Sequence, residues 1–265
     1  MAHEIANLFP GDMRSYHEPF LGSGAVLGTL RPERAFASDT LAPLMEIWAA
    51  LSNDPEMLKS WYAERRGDLG NQDEVRARYA EVQASFNANP NGADLLFLCR
   101  TCYGGIVRFR GSDGHMSTPC GAHKPVPVSG FAARVDVWVD RTRGVTFQHL
   151  DYRQAFELAE PGDVVYCDPP YSDTQSILYG AQKFNLHDLI ERVDVAKTQG
   201  VRVALSIDGS KKSGLRQVLH DFPKGLFETE AAVQVGRSML RRFQMSGQTL
   251  EQEEVADRLL LTYAV

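Results

Sequence analysis

Hydrophobic and polar positions change their period along this chain, and the changes divide it into three parts. The first part runs to about Leu51. In it Arg14-Ser15-Tyr16-His17 reads as a short strand, followed by a glycine turn, a helix start, a second strand ending at Ala37, and Asp39 just beyond. The middle part, from Ser52 to about Gly144, is at first helical. Asp54 to Arg66 and Asp73 to Phe86 place apolar residues three and four apart among good helix formers. After Tyr103-Gly104-Gly105 the period is lost, and Ile106 to Gly121, with Gly111, Gly114 and Gly121, reads as a β-hairpin or extended loop. The third part alternates again: strands at Val145 to Gln148, Val164 to Cys167 and Val201 to Ile207, with a helix near Leu186 to Gln199. Such alternation predicts an α/β fold with a mainly parallel sheet.

Composition and charge sharpen this picture in a few places. A chain of 265 residues with 43% hydrophobic and 23% charged residues can bury a substantial core. Met1 to Asn7 lacks the basic and apolar regions of a secretory signal, and no apolar run approaches a membrane span. Four irregularly spaced cysteines point to a reduced, cytoplasmic protein. Cys99 and Cys102 form a single C-x-x-C without the second pair a structural zinc site wants, so no metal is expected. The net charge of −6 argues against a nucleic-acid partner, but Arg100 to Arg143 carries seven positive and three negative residues. That segment is basic on an acidic body, which allows phosphate contacts on one face. A solvated helix face is the other reading for Arg134, Arg141 and Arg143.

Two motifs carry candidate chemistry. Asp168-Pro169-Pro170-Tyr171 leaves the apolar run Val164-Val165-Tyr166-Cys167. The prolines fix φ near −65° and donate no N–H, so their carbonyls remain acceptors. Asp168 supplies another acceptor and Tyr171 a flat aromatic face, a combination suited to a planar base with an exocyclic NH2. An ordinary strand-end turn has the same residues. Gly22-Ser23-Gly24 follows the first strand without the third glycine of a dinucleotide fingerprint or the lysine of a phosphate loop. It fits a turn that brings backbone close to a ligand, with Asp39 where an acid accepts from ribose hydroxyls. A tight turn and a helix cap would also explain it.

Together these segments resemble the Dam-type (D12 class, alpha group) DNA adenine-N6 methyltransferases. Glu18-Pro19-Phe20-Leu21-Gly22-Ser23-Gly24-Ala25-Val26 is similar to the family's first motif, Asp39 to its second acidic position, His149-Leu150-Asp151-Tyr152 to its short D-F segment, and Asp168-Pro169-Pro170-Tyr171 to its catalytic motif. Arg100 to Gly105, running on through Gly114 to Gly121, resembles the lead into the DNA-reading hairpin. The resemblance implies a Rossmann-like S-adenosylmethionine-dependent methyltransferase sheet (residues 1–51 and 145–265). Inserted in it would be a mainly helical target-recognition domain (52–144) that carries the hairpin. It implies S-adenosyl-L-methionine held by Glu18, Pro19, Phe20, Gly22, Gly24, Asp39, Asp151 and Tyr152. It also implies a flipped adenine stacked on Tyr171, with its amine on Asp168 and the Pro169 carbonyl beside Pro170. Duplex DNA would be contacted by Arg100, Tyr103, Arg108, Arg110, Met116 and Lys124, with Met116 or Phe109 as an apolar wedge. Such proteins are cytoplasmic, in bacteria or phage, and work as orphans or beside a cognate restriction enzyme.

Family members begin with a segment like W-x-G-G-K, whereas Ala2 to Pro10 here looks like the helix that follows it, placing that segment upstream of Met1. Two alternatives stay open, one because similar (N/D)-P-P-Y cups serve other amines and one because of that missing segment. One is a methyltransferase of the same fold acting on RNA or a glutamine amide; the other is a catalytically weak DNA-binding relative.

Overall fold

A computed structural model describes residues 1–170, 184–207, 222–234 and 256–265. Its centre is a seven-stranded sheet. The strands are β1 (Tyr16–Glu18), β2 (Ala35–Asp39), β3 (Val145–His149), β4 (Val164–Cys167), β5 (Arg202–Ile207), β6 (Thr229–Gln234) and β7 (Ala256–Leu261), in the spatial order β3-β2-β1-β4-β5-β7-β6. The first five are parallel, and β7 runs antiparallel between β5 and β6. Val145, Ala35, Tyr16, Val164 and Arg202 lie in one row of the register. The parallel strands therefore begin together and open their carboxyl ends along one edge. The chain turns to β2 on one side of β1 and later enters β4 on the other, which makes the β1/β4 boundary the switch point where such sheets bind ligands.

Both sheet faces are covered, which explains the near-continuous apolar runs of β4 and β5. Successive side chains point to opposite faces. Val164 and Tyr166 join one core cluster; Val165 and Cys167 join another with Val203 and Leu205. The second cluster packs under α8 (Tyr152–Glu157) and α9 (Leu186–Thr198). The first continues from α1 (Ala2–Ala6), α2 (Ala25–Leu30) and α3 (Ala42–Asn53) into α4 (Pro55–Arg66), α5 (Gln72–Ala88), α6 (Gly92–Thr101) and α7 (Val128–Arg141) without a break. Five helices start where an Asp or Asn side chain takes up free N–H groups: Asp54 before α4, Asn71 before α5, Asn91 before α6, Asp151 before α8 and Asn185 before α9. On α5, Val75, Tyr79, Val82 and Phe86 are buried at helical spacing. Helix α7 docks on α2 because Gly28 has no Cβ to meet the Trp138 ring, which would lie 2.7 Å away.

The expected hairpin is sparsely paired. Phe109 opposes Met116 and Cys102 opposes Cys120, each as a single antiparallel pairing. The Arg110 N–H donates to the His115 carbonyl, and the Ser117 N–H to that of Arg108. Helix α5 holds the returning segment from outside. Tyr79 Oη and Gln83 Nε2 donate to the Thr118 carbonyl, and Asn87 both donates to the Met116 carbonyl and accepts from its N–H. The antiparallel β6/β7 pair and helix α6 are additions to what the hydrophobic period had outlined, and Asp39 closes β2 instead of following it.

Candidate functional site

A cavity of about 910 Å³ opens at the carboxyl edge of the sheet, over the β1/β4 boundary. Its wall comes from the turn after β1 (Glu18, Phe20 to Ser23, Ala25, Val26), the ends of β2 and β4 (Asp39, Asp168, Pro169, Pro170), the start of α8 (Asp151, Tyr152), and the loop tip (Phe109, Asp113, Gly114, His115). The volume lies toward the upper end of small-molecule pockets, roughly 300–1,000 Å³.

The turn is fixed by backbone geometry and one carboxylate. Gly22 and Gly24 have φ of 47° and 62°, the left-handed region. A Cβ on Gly24 would also come within 2.9 Å of Trp48, whose Nε1 donates to the Gly22 carbonyl at 3.3 Å. The Gly22 N–H donates to Asp39 Oδ2 and the Leu41 N–H to Oδ1, both at 3.0 Å. Burial pushes the Asp39 carboxyl above its ordinary range against the pull of these N–H groups. Glu18 is 3% exposed. Its Oε2 accepts from Tyr16 Oη at 2.7 Å and from the Leu27 N–H in the first turn of α2. Burial pushes its carboxyl up to about 8, with Asp168 adding to the rise and the hydrogen bonds opposing it. Asp151 accepts from the Arg153 N–H in a capping box with Gln154, and the Arg153 guanidinium lies 3.1 Å from it. The Phe20 ring stacks on Tyr152 at 5.3 Å and meets Phe184 edge-on at 5.9 Å. Tyr152 Oη donates to Asp188, which with burial raises the phenol's pKa.

At the end of β4, Asp168 is exposed, Pro169 buried and Pro170 half-buried, all three on the cavity wall. Tyr171 lies outside the described residues. Of the residues expected to hold cofactor, Glu18, Phe20, Gly22, Asp39, Asp151 and Tyr152 line the cavity; Pro19 and Gly24 are buried behind it.

Of the expected DNA contacts, Phe109 is on this wall; the others lie away from it. Met116 is 2% exposed inside the core cluster, and Asn87 ties both its backbone groups to α5. Arg100 lies over the Phe131 ring at 5.9 Å, and Lys124 Nζ donates to the Gly70 carbonyl. The Tyr103 N–H donates to the Pro119 carbonyl, and the Arg108 N–H to Thr118 Oγ1. Arg110 grips Asp113 through Nε and Nη2, and Nη2 lies 3.1 Å from His115 Nδ1. Asp113 and His115, absent from the sequence expectations, reach the cavity beside Phe109 and Gly114. Their signal was the Asp-Gly turn at 113–114. Among the described residues no cluster of three His, Cys, Asp or Glu could hold a metal, and no helix is long and apolar enough to cross a membrane.

Strand order, glycine turn and acidic strand ends together define a Rossmann-like methyltransferase. Over residues 1–229 the chain matches the D12 class N6 adenine-specific DNA methyltransferases, and it belongs to that family. It is 24% identical over 211 residues to a DNA adenine methylase of Vibrio cholerae, covering 74% of this chain and 73% of that one. It is 25% identical over 207 residues to a DNA adenine methylase of Haemophilus influenzae, covering 75% and 70%. The type II methyltransferase M.MjaIII of Methanocaldococcus jannaschii is 29% identical over 174 residues, covering 61% and 60%. The chain is thus an enzyme of site-specific adenine-N6 methylation in DNA.

Proposed function

We propose that the cavity takes S-adenosyl-L-methionine at its β1/β2 side and a flipped adenine at its β4 side, the pair filling one continuous space. The observation that carries this is the meeting of the glycine turn, Asp39 and the Asp168-Pro169-Pro170 edge on one wall. The residues fit the cofactor. The turn around Gly22 leaves backbone uncovered by side chains, Asp39 keeps lone pairs for ribose hydroxyls, and the Phe20/Tyr152 rings offer an apolar flank. Asp151 stands where it could accept from an adenine amine. When bound, the cofactor supplies an electrophilic sulfonium methyl.

The protein's own part is positioning and electrostatics. An exocyclic amine is a poor nucleophile because its lone pair is delocalised into the ring. Asp168 Oδ and the Pro169 carbonyl would accept its two N–H bonds and favour a more tetrahedral nitrogen with the lone pair freed. The exposed Asp168 carboxylate can also hold the proton that the amine sheds. Tyr171 would supply the stacking face, and residues 52–144 the surface that reads duplex DNA. Within that surface the loop tip at Phe109 and Asp113–His115, not Met116, faces the base. The type II relative supports a role beside a cognate restriction enzyme.

The test supplies methyl-labelled S-adenosylmethionine with duplex DNA, RNA or protein as acceptor, then sequences the DNA for modified adenines. Label confined to adenine N6 of duplex DNA at one recurring sequence is expected. Label absent from duplex DNA would end the reading.

A further inference from the structure

The C-x-x-C of the sequence has no part in methyl transfer, yet the fold gives one of its members a new neighbour. Cys102 ends α6 in extended conformation, with φ −70° and ψ 159°. It opposes Cys120 across an antiparallel pairing. The flanking bonds define the kind of pair: the Tyr103 N–H donates to the Pro119 carbonyl and the Gly121 N–H to the Thr101 carbonyl, both at 2.8 Å. The two cysteines themselves exchange no backbone bond. This is the non-hydrogen-bonded type of pair, whose Cα atoms approach to about 4.5 Å with side chains on the same side. That spacing lies inside the roughly 4.4–6.8 Å range that a disulfide spans. Both residues are free thiols, Cys102 buried and Cys120 half-buried.

We propose that Cys102 and Cys120 form a reversible disulfide that staples the base of the loop 103–119, with a small-molecule disulfide such as oxidised glutathione as the oxidant. The half-exposed Cys120 reacts first. Its thiolate attacks one sulfur of oxidised glutathione, releasing one glutathione thiol and leaving a mixed disulfide. Cys102 then attacks the Cys120 sulfur and displaces the second glutathione. Two thiol hydrogens and two electrons pass from the cysteine pair to the oxidant, giving two glutathione thiols.

Burial raises all three thiols, that of Cys102 up to about 11, that of Cys99 up to about 12 and that of Cys120 also upward, which keeps the pair slow to exchange. The half-exposed position of Cys120 opposite Cys102 sets where exchange begins. Cys99 lies one helical turn back on α6 and faces no opposing strand. Cys167 is fully buried on β4. The staple joins α6 to the segment that α5 grips through Thr118, closing the root of the loop whose tip lines the cavity.

The experiment titrates the reduced, full chain with oxidised glutathione, blocks remaining thiols by alkylation and maps unreduced tryptic peptides. Arg100, Arg108 and Arg110 separate Cys99, Cys102 and Cys120 onto different peptides, so each linkage is distinguishable. Two of the four thiols should disappear, the Cys102 and Cys120 peptides should appear joined, and dithiothreitol should restore all four. Cys99→Ser should give the same linkage, and Cys120→Ser none. Since Cys102→Ser could perturb the core, Cys120→Ser and Cys120→Ala carry the test. Retention of four thiols, a Cys99–Cys102 linkage, or a glutathione adduct that stays on Cys120 would each overturn the proposal.

Discussion

The two ends of the parallel strands use the same residue types to opposite effect. At the amino end Asp163, just before β4, is 1% exposed and fully committed. It receives Arg14 Nε, the Glu160 N–H and the buried His17 Nε2, each within about 3 Å. Burial opposes its charge, but these partners outweigh burial and hold its carboxyl below the usual range. At the carboxyl end Glu18 and Asp39 are as buried, yet their partners are neutral hydroxyl and N–H donors, and burial wins. Among the described residues no arginine or lysine is hydrogen-bonded to either. One end is neutralised internally and serves as scaffold. The other keeps acceptors poorly compensated, in the place where a ligand can complete them.

The largest effect that would sharpen this contrast is catalytic. Asp168→Ala should lower methyl transfer by about 10²–10³-fold while leaving the melting temperature nearly unchanged, since one aimed acceptor is lost from an exposed site. Labelled-methyl incorporation and thermal melting on the same preparation check it. Asp163→Ala should do the reverse: about 3 kcal/mol of stability lost in urea unfolding, with unchanged turnover per folded molecule. If turnover fell with it, the division between the ends would not hold.

Glu18→Gln tests the carboxyl end through pH. The folded-state value of about 8 lies above the ordinary 4.5, so the stability involved is complete below about pH 4.5 and is lost as pH rises through 8. The variant should match the wild type at pH 4 and exceed it by on the order of a few kcal/mol at pH 8, judged by denaturant midpoints. Gly24→Ala comes next. Its φ of 62° and the 2.9 Å approach to Trp48 should cost about 1–2 kcal/mol and weaken cofactor binding in calorimetry. The smallest effect belongs to Arg110→Ala, which removes an exposed pair worth under about 1 kcal/mol. A DNA-contacting Arg110 would show instead as a drop of about one in the salt dependence of duplex binding.

Much of this architecture was legible because the responsible forces are local. Apolar runs at Val164–Cys167 and Val201–Ile207 mark doubly covered strands, and Gly22 and Gly24 sit where φ must be positive. Both signals sit in consecutive residues. The exposed faces were harder. Arg100 and Lys124 look like solvent-facing charges in the sequence, whereas the fold sets Arg100 over Phe131 and Lys124 on the Gly70 carbonyl, partners distant along the chain. Met116 looks like a hairpin tip because its burial depends on Asn87 of α5. Asp39 and Asp151 both line the cavity, yet their engagement with Gly22 and Arg153 depends on side-chain orientations that spacing does not encode.

The grip of α5 on Thr118 and Met116 has an evolutionary consequence. In an ordinary hairpin the tip sequence must preserve strand register, so altering what it reads endangers how it folds. Here Tyr79, Gln83 and Asn87 keep the register from a separate helix. Residues around 109–115 are thereby released from that duty. Sequence can drift at the tip, through substitution or changed length, while the helix continues to present whatever stands there to the same cavity.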